Sequence, residues 1–343
     1  MNILENKPSV ILECLKYAFE FNEPILMTGP PGVGKTSLVY QAAESVQYPV
    51  YVAHPVVSEP IDFKGMPTVI DGIATFLPFD DLRILIDATE PIVFFIDDLG
   101  QAPASVQAAV MQLLLARRIG EKKVSEHVRF VAATNRREDL AGVQGILSPV
   151  QSRFTILSLG VSKDDWIVWA IKNDISPEMI SFINYTGGKF LTEDRSHDIE
   201  NTGNPRTVAK ADTHFRNAPA NIRDTLIAGA AGQAFMLEFT TYIKVFTDLP
   251  TLEDIVSDPE NTPIPDAPSK LFVVVAMLIT RTTIENTNAV SAYILRLTDD
   301  WQIRYLKLLS VAMTQLLPDI ISAENVETLF SKHSEIIAEM SAR

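Results

Sequence analysis

The feature that most constrains the fold is the stretch Met27 to Leu38, which reads MTGPPGVGKTSL. It joins a short apolar strand through a glycine- and proline-rich loop to a helix that begins near Lys35. A strand, a loop of the spacing GxxxxGK(S/T) and a helix together form the pattern of a phosphate-binding loop. The residues that match this spacing are Gly29, Gly34, Lys35 and Thr36. An ordinary turn before a helix would not need the lysine and the hydroxyl in this order.

The chemistry of this loop predicts a nucleoside triphosphate ligand. Glycines let backbone N–H groups turn inward around phosphates, and the helix N-terminus adds unpaired donors and a positive dipole end. Lys35 is expected to contact the β- and γ-phosphates, and Thr36 to bind Mg²⁺. The predicted nucleotide-binding residues are Gly29, Pro30, Pro31, Gly32, Val33, Gly34, Lys35, Thr36 and Ser37.

A second motif is the stretch Pro91 to Leu99, PIVFFIDDL, in which an apolar run ends in two acids. This pattern predicts a buried parallel strand, and ligands bind at the carboxyl ends of such strands. Asp97 is therefore placed to hold the same Mg²⁺ as Thr36, and Asp98 to act as general base on the attacking water. Acids at a solvated strand end are the alternative, which the phosphate loop makes less attractive.

Three further stretches extend the sheet. The run Val128 to Thr134 reads as a buried strand ending at Asn135, whose amide could orient the lytic water or contact the γ-phosphate, although strand-ending asparagines are common. Residues 50–54 and 155–159 complete five parallel-strand candidates, which predicts an α/β fold.

The residues 68–76 contain Asp71-Gly72 between two β-like runs and predict a hairpin, either functional or a surface ribbon.

Beyond residue 160 the pattern becomes helical. Helices are expected over the ranges 163–173, 177–185, 205–215 and 222–246, with a loop at 186–204. A proline- and acid-rich linker, Asp258 to Pro268, precedes a last helical segment. We therefore predict a nucleotide-binding domain over 1–159, a helical lid over 160–256 and a helical extension over 257–343.

Composition narrows the classes of partner and compartment. The 343 residues carry a formal charge of −14, which repels phosphate backbones and disfavours nucleic-acid binding unless a local basic patch intervenes. The longest apolar run, Leu271 to Ile279, is too short to span a bilayer. The N-terminus lacks a signal pattern, and the single Cys14 suits a reducing compartment. We expect a cytoplasmic protein with no membrane partner.

Taken in order, these motifs resemble those of the AAA+ ATPases and, within them, of the MoxR-like group. GPPGVGKT is similar to the Walker A motif, IDDLGQAPASVQ to the Walker B strand with its following helix, and AATNRRED to the sensor 1 segment with Asn135 as sensor. SPVQSRF is similar to the segment whose arginine, here Arg153, acts in trans on a neighbouring subunit. GNPRT is similar to the sensor 2 segment with Arg206.

The resemblance implies a function and a fold. It implies a five-stranded P-loop core with a hairpin insert, an all-α lid and a C-terminal helical segment. It also implies a Mg²⁺-dependent ATPase that forms a homo-oligomer, a hexameric ring, and remodels a protein client or a von Willebrand factor A domain partner. Arg118 is the other candidate for the trans-acting arginine, because LLLARRIG is expected to end its helix near the same edge. Arg206, a cation at a helix start where the dipole disfavours it, is expected to bind an anion.

Two departures from the family pattern bear on activity. The family usually has Asp-Glu where this chain has Asp97-Asp98, so the catalytic carboxylate is one methylene shorter. A misplacement near 1 Å can lower a rate on the order of 10²-fold, so a slow ATPase acting as an ATP-gated scaffold is an alternative function. Gly100 stands where the family often has Asn. A loader ATPase acting on nucleic acid is a further alternative, against which the acidic charge counts.

Overall fold

The computed structural model describes residues 5–139, 143, 145–192, 199–244, 249–312 and 324–334. The chain forms two compact units, residues 1–162 and residues 163–343. The three-domain division expected from the sequence, with a further boundary at residue 256, stays a prediction.

The first unit is built on a six-stranded parallel sheet in the order β1-β10-β2-β9-β6-β3. Five of these strands are the ones expected from the sequence, and the sixth, the two-residue β1, adds to β10 at one edge. The strands of the unit, including two hairpins, are β1 (Glu5–Asn6), β2 (Ile25–Thr28), β3 (Val50–Ala53), β4 (Met66–Ile70), β5 (Ile73–Leu77), β6 (Ile92–Ile96), β7 (Arg118–Ile119), β8 (Lys122–Lys123), β9 (Val128–Thr134) and β10 (Thr155–Leu159).

Helices cover both faces of the sheet, as a parallel sheet requires. They are α1 (Pro8–Phe21), α2 (Lys35–Ser45), α3 (Asp80–Asp87), α4 (Ala104–Ala116) and α5 (Ser148–Gln151). Strand β6 shows why both faces are apolar: Val93 and Phe95 pack with α1 and α2, whereas Phe94 and Ile96 pack with α3 and α4. The predicted α/β class is confirmed.

The two hairpins differ in how well the sequence predicted them. The expected one is formed by β4 and β5, and its turn residues Asp71 and Gly72 have φ values of 53° and 77°, as the Asp-Gly signal requires. The second, formed by β7 and β8, was not expected, because the sequence placed Arg118 at a helix end. Helix α4 ends at Ala116, and Arg117 with φ 46° turns the chain into β7.

The regular elements that the structure describes in the second unit are all helices. Its helices are α6 (Lys163–Lys172), α7 (Pro177–Tyr185), α8 (Pro205–Asn217), α9 (Ala220–Ala231), α10 (Gln233–Lys244), α11 (Leu252–Ser257), α12 (Pro268–Arg281), α13 (Thr287–Leu295), α14 (Asp299–Ala312) and α15 (Glu324–Lys332). The single helix expected over 222–246 is wrong, because Gly232 divides it into α9 and α10. Gly232 has φ 95°, and its N–H donates to Ala228 O at 2.8 Å, which ends α9. The predicted end at Phe246 lies outside the described residues.

Two loops of this unit are anchored rather than free. Within the loop expected over 186–204, Phe190 is buried and stacks on Phe182 at 5.5 Å, while residues 193–198 lie outside the described part. The linker before α12 is held by α13: Tyr293 Oη donates to Pro263 O at 3.0 Å, and Arg296 Nη1 donates to Thr262 O at 2.8 Å. Among the described residues, no helix combines the length and the apolar composition that a bilayer span requires.

Candidate functional site

The phosphate loop between β2 and α2 has the backbone conformation that its sequence predicts. Gly34 precedes α2 with φ 107°, a region that side chains rarely adopt. At Gly29 the constraint is space, because a Cβ there would lie 2.8 Å from Leu159 O on the neighbouring β10. Val33 is buried in the core under the loop, whereas Ser37 is exposed. The glycines therefore fix a tight loop at the carboxyl end of the sheet.

Lys35 carries a buried ammonium group at this loop, with an exposed fraction of 7%. Its Nζ donates to Gly29 O at 2.9 Å, to Pro30 O at 3.0 Å and to Asn135 Oδ1 at 2.7 Å. The third contact brings together two residues that are 100 positions apart in the chain. Lys35 and Asn135, predicted separately from two motifs, thus belong to one site.

The predicted magnesium ligands, Thr36 and Asp97, are also in contact. Thr36 Oγ1 donates to Asp97 Oδ2 at 3.0 Å. Two ligand oxygens of an octahedral Mg²⁺, each about 2.1 Å from the ion, are about 3.0 Å apart, so this pair fits the ion. The described residues contain no group of three or more His, Cys, Asp or Glu side chains that could hold a metal by themselves. Mg²⁺ at a nucleotide takes one or two protein ligands besides phosphates and waters.

Asp98 has an unusual backbone conformation, with φ 57° and ψ 33°. Asp and Asn are the residues, besides glycine, that adopt this left-handed region most readily. Its Oδ1 accepts a long contact of 3.4 Å from Asn135 Nδ2, and its backbone N–H donates to Asp97 Oδ1 at 3.0 Å. The residue that replaces the family's usual Glu is therefore the one that suits this turn, and its carboxylate faces the amide of Asn135.

Gly100 is explained by its neighbour on β9. A Cβ at this position would lie 2.2 Å from Thr134 Oγ1, a separation that no packing allows. The asparagine often found here in the resembled family does not fit this chain. Thr134 itself is buried, directly before Asn135, so the close approach of Gly100 holds the end of β9 against the segment that follows Asp98.

Arg153 lies at the opposite edge of the sheet from these residues. It precedes β10, which runs parallel to β2 with Thr155 opposite Ile25 and Ser158 opposite Thr28. The five residues of β10 span about 16 Å, which separates Arg153 from the phosphate loop of its own unit. Arg153 is exposed, and its guanidinium makes no hydrogen bond or ion pair with any residue that the structure describes.

The other two arginines have different surroundings. Arg118 is engaged within its own hairpin, where Nη2 donates to Glu121 O at 2.7 Å and lies 3.6 Å from Glu121 Oε2. Its predicted place at a helix end is wrong, and this pairing makes Arg118 the weaker candidate for a trans-acting role. Arg206 lies in the second unit, exposed, in the first turn of α8, which begins at Pro205 as expected. Its role toward a nucleotide stays a prediction.

Two further residues, which were not predicted from the sequence, support the site. Arg136, directly after Asn135, pairs through Nη1 with Glu5 Oε1 at 2.6 Å and through Nη2 with Asp139 Oδ1 at 3.1 Å. The hydrogen bonds that Arg136 donates to Asp139 raise the pKa of Arg136, although partial burial of the guanidinium opposes this shift. Gln107, buried in the first turn of α4, donates to Gly145 O at 2.8 Å and accepts from the Leu147 N–H at 3.0 Å. The signal available in the sequence was that Arg136 and Gln107 lie within the same motifs as the predicted site residues.

The site is therefore a cluster of side chains at the carboxyl ends of β2, β6 and β9. The structure brings together Lys35, Thr36, Asp97, Asp98 and Asn135.

Residues 24–154 match the family model described as AAA domain (dynein-related subfamily). Over these residues, which are less than half of the chain, the sequence is similar to an AAA domain. The match supports an AAA+ ATPase, and with it nucleotide binding.

Solved structures with similar folds include two bacterial AAA+ chains. The Holliday junction branch migration motor RuvB of Thermotoga maritima is 18% identical over 70% of this chain and 68% of that one, with a TM-score of 0.40. NtrX of Brucella abortus, solved in complex with ATP, is 14% identical over 98% of this chain and 69% of that one, with a TM-score of 0.37. At these scores neither likeness adds to the assignment. No curated protein shows significant similarity to the sequence.

Proposed function

We propose that this chain is a Mg²⁺-dependent ATPase of MoxR type that assembles into a hexameric ring and remodels a protein partner. The observation that carries the proposal is the contact network of the phosphate loop: Lys35 bonded to Asn135, and Thr36 bonded to Asp97. A lysine, a hydroxyl, a carboxylate and an amide at one edge of a parallel sheet are the groups that phosphoryl transfer to water needs.

Each side chain has a role in this reaction. The loop N–H groups and Lys35 bind the phosphates, and Lys35 exchanges its protein acceptors for phosphate oxygens. Thr36 and Asp97 would hold Mg²⁺, which would neutralise negative charge on the phosphates. Asp98 accepts the proton of the attacking water, and Asn135 orients that water or contacts the γ-phosphate.

Arg153 supplies the reason for a ring. A guanidinium that faces the γ-phosphate stabilises the transition state by about 10³- to 10⁵-fold in turnover. Because Arg153 lies at the amino-terminal edge of its own sheet, we propose that it serves the nucleotide of an adjacent copy. Arg206 completes the proposal as the lid residue that senses the same phosphate.

The hairpin of β4 and β5 is the proposed contact with a protein client. Its large apolar side chains are exposed, with Val69 at 69% and Ile73 at 70%. Exposed apolar side chains in such a concentration mark a protein interaction site. An adjacent von Willebrand factor A domain protein is the partner implied by the resemblance, and the charge of −14 argues against nucleic acid.

Sedimentation velocity with and without ATP, combined with ATPase rates over a range of protein concentrations, tests the proposal. We expect larger particles with ATP and a specific rate that rises with concentration. The variant Lys35→Ala serves as the control: it should bind ATP about 10- to 100-fold more weakly and should therefore not assemble at an ATP concentration near the native Kd. A monomer under all conditions with a concentration-independent rate contradicts the ring.

A second candidate function, an ATP-gated scaffold with slow turnover, is favoured by Asp98. The short carboxylate and the 3.4 Å separation from Asn135 Nδ2 both leave room between base and amide. Turnover of the native chain is then compared with that of Asp98→Glu. Faster hydrolysis by the variant supports the scaffold, whereas a brisk native rate that falls on substitution excludes it.

A further inference from the structure

The peptide group that joins Asn135 to Arg136 is anchored through both of its polar atoms. Its carbonyl oxygen, Asn135 O, accepts from Thr134 Oγ1 at 3.0 Å. Its N–H, that of Arg136, donates to Asp139 Oδ2 at 2.9 Å, and the Asp139 N–H donates back to Arg136 O at 3.1 Å. These reciprocal bonds close a tight turn directly after Asn135, so the backbone that carries its side chain is fixed.

The Arg136 guanidinium holds the same turn. Its Nε donates to Asp139 Oδ2 at 3.1 Å, and its Nη2 donates to Asp139 Oδ1 at 3.1 Å. A planar guanidinium that bonds to both oxygens of a carboxylate fixes the relative geometry of the two groups as well as pairing their charges. The Asp139 side chain is only 3% exposed, so this pair is shielded from water. One carboxylate therefore holds both the backbone and the side chain of Arg136.

The third nitrogen of the guanidinium connects this turn to a distant strand. Nη1 donates to Oε1 of Glu5, 131 positions away on β1, at 2.6 Å. Arg136 follows β9, and in the order β1-β10-β2-β9 two strands lie between it and β1. Three spacings between neighbouring strands amount to about 14 Å. The ion pair thus bridges a stretch of the sheet that includes β2, the strand before the phosphate loop.

Glu5 is itself held in place at the edge of the sheet. It lies opposite Ser158 where β1 pairs with β10, and the Gly160 N–H donates to Asn6 O at 3.0 Å. A Cβ at Gly160 would lie 2.9 Å from Glu5 Oε2, so the glycine leaves room for this carboxylate. Arg136 is therefore tied to a fixed point of the sheet.

This anchoring matters most when Lys35 contacts a nucleotide. Asn135 Oδ1 accepts from Lys35 Nζ at 2.7 Å, whereas Asn135 Nδ2 lies 3.4 Å from Asp98 Oδ1. When Lys35 exchanges this acceptor for phosphate oxygens, the Asn135 side chain keeps only the longer contact among those within the described part of the chain. The position of its amide then depends on the backbone that carries it.

We propose that Arg136, held by Asp139 and Glu5, is a positioning residue that keeps the Asn135 amide in place for ATP hydrolysis. This inference rests on the proposed function, in which Asn135 orients the attacking water or contacts the γ-phosphate. It adds to that function a residue that acts through Asn135 and does not itself contact ATP.

A double-mutant cycle tests whether Arg136 acts through Asn135. Arg136→Gln should lower kcat about tenfold and change the KM of ATP less than about twofold, because the interaction it supports is made in the transition state. In an Asn135→Ala background the same substitution should lower kcat less than about twofold, because the amide that it positions is absent. An unchanged kcat in Arg136→Gln overturns the proposal, as does an equal loss in both backgrounds. Arg83→Gln, at an exposed ion pair on α3, is the matched control and should behave as the native chain does.

Glu5→Gln provides a second variant that preserves the fold, because the Glu5 side chain is 55% exposed and the pair with Asp139 remains. Its kcat should fall about two- to fivefold in the native chain and stay unchanged in the Asn135→Ala background. Hydrogen exchange without nucleotide gives a readout besides turnover. The peptide that contains residues 134–139 should exchange at least about threefold faster in Arg136→Gln and in Glu5→Gln. Exchange at the native rate in both variants overturns the proposal.

The outcomes separate this inference from the function on which it rests. A native chain that does not hydrolyse ATP overturns both. A native chain that hydrolyses ATP, while Arg136→Gln loses the same fraction of kcat with and without the Asn135 amide, overturns the positioning role alone and leaves the ATPase standing.

Discussion

The two edges of the parallel sheet differ in whether their candidate functional side chains are paired or exposed. At the carboxyl-terminal edge the functional side chains satisfy one another: Lys35 bonds to Asn135, and Thr36 bonds to Asp97. At the amino-terminal edge Arg153 and the rings of Tyr17 and Phe21 are exposed. The functional side chains at one edge are thus paired with one another, whereas the other edge has an exposed arginine and an exposed aromatic pair. We therefore expect substitutions at the two edges to change different measured quantities.

The largest effect is expected from Arg153→Ala at the amino-terminal edge. Loss of a trans-acting arginine should lower ATP turnover on the order of 10³-fold and leave the Kd of ATP unchanged. Arg118→Ala is the matched control, because the Arg118 guanidinium already pairs within its own hairpin, and turnover should change less than about twofold. Steady-state ATPase rates and equilibrium nucleotide binding give both quantities. A loss of binding in Arg153→Ala would break the division between the edges.

At the carboxyl-terminal edge, Lys35→Ala should act on binding first. Removing a buried ammonium that donates to phosphate loses one to two charge-assisted hydrogen bonds, which corresponds to about 10- to 100-fold weaker ATP binding. Titration with a fluorescent ATP analogue measures the Kd. Lys16→Ala, on α1, is the control and should bind normally. An unchanged Kd in Lys35→Ala would remove Lys35 from the site.

Gly100→Asn sharpens the comparison through stability. The added Cβ would meet Thr134 Oγ1 at 2.2 Å, so the segment after Asp98 must shift. We expect the free energy of unfolding to fall by about 1–3 kcal/mol, the usual cost of overpacking. Gly229→Ala is the control, because a Cβ in α9 at Gly229 meets nothing within 4 Å and should be neutral or stabilising. Urea unfolding measures both, and equal stability of the two variants contradicts the packing argument.

The smallest effect is expected from Asp98→Glu. Glutamate adopts the left-handed conformation less readily than aspartate, so the variant should lose about 1 kcal/mol of unfolding free energy. Asp98→Asn keeps the local preference and should retain its stability while losing turnover. Thermal or urea unfolding of both variants decides. A stabilised Asp98→Glu would show that the turn at Asp98 does not favour its own residue.

The sequence predicted the site where local patterns determine structure. The phosphate loop, the acidic end of β6 and Asn135 each follow an apolar strand, and parallel strands bring their carboxyl ends to one edge. The contact between Lys35 and Asn135 follows from that rule even though 100 residues separate them. The hairpin of β4 and β5 was predicted for a similar reason, since Asp-Gly encodes its turn locally.

The features that escaped prediction depend on tertiary contacts. Strand β1 has two residues, too short for any periodicity, and exists because β10 is beside it. The break at Gly232 was hidden by apolar periodicity that continues across it. A Cβ there would lie 2.8 Å from Asn201 O, which only the folded unit reveals. The pairing of Arg136 with Glu5 likewise joins residues that are distant in sequence.

The buried amide of Gln107 has a consequence for communication between the two edges. Gln107 lies in α4, the helix that follows the Asp97-Asp98 turn. Its amide donates to Gly145 O and accepts from the Leu147 N–H, both in the segment leading to α5 and Arg153. Two hydrogen bonds thus connect the helix after the carboxylates to the segment before Arg153. In the ring proposed above, this connection would couple the nucleotide site of one protomer to the arginine proposed to serve the next. Gln107→Met, which removes these two hydrogen bonds, should leave ATP binding intact while abolishing any cooperativity in the ATPase rate.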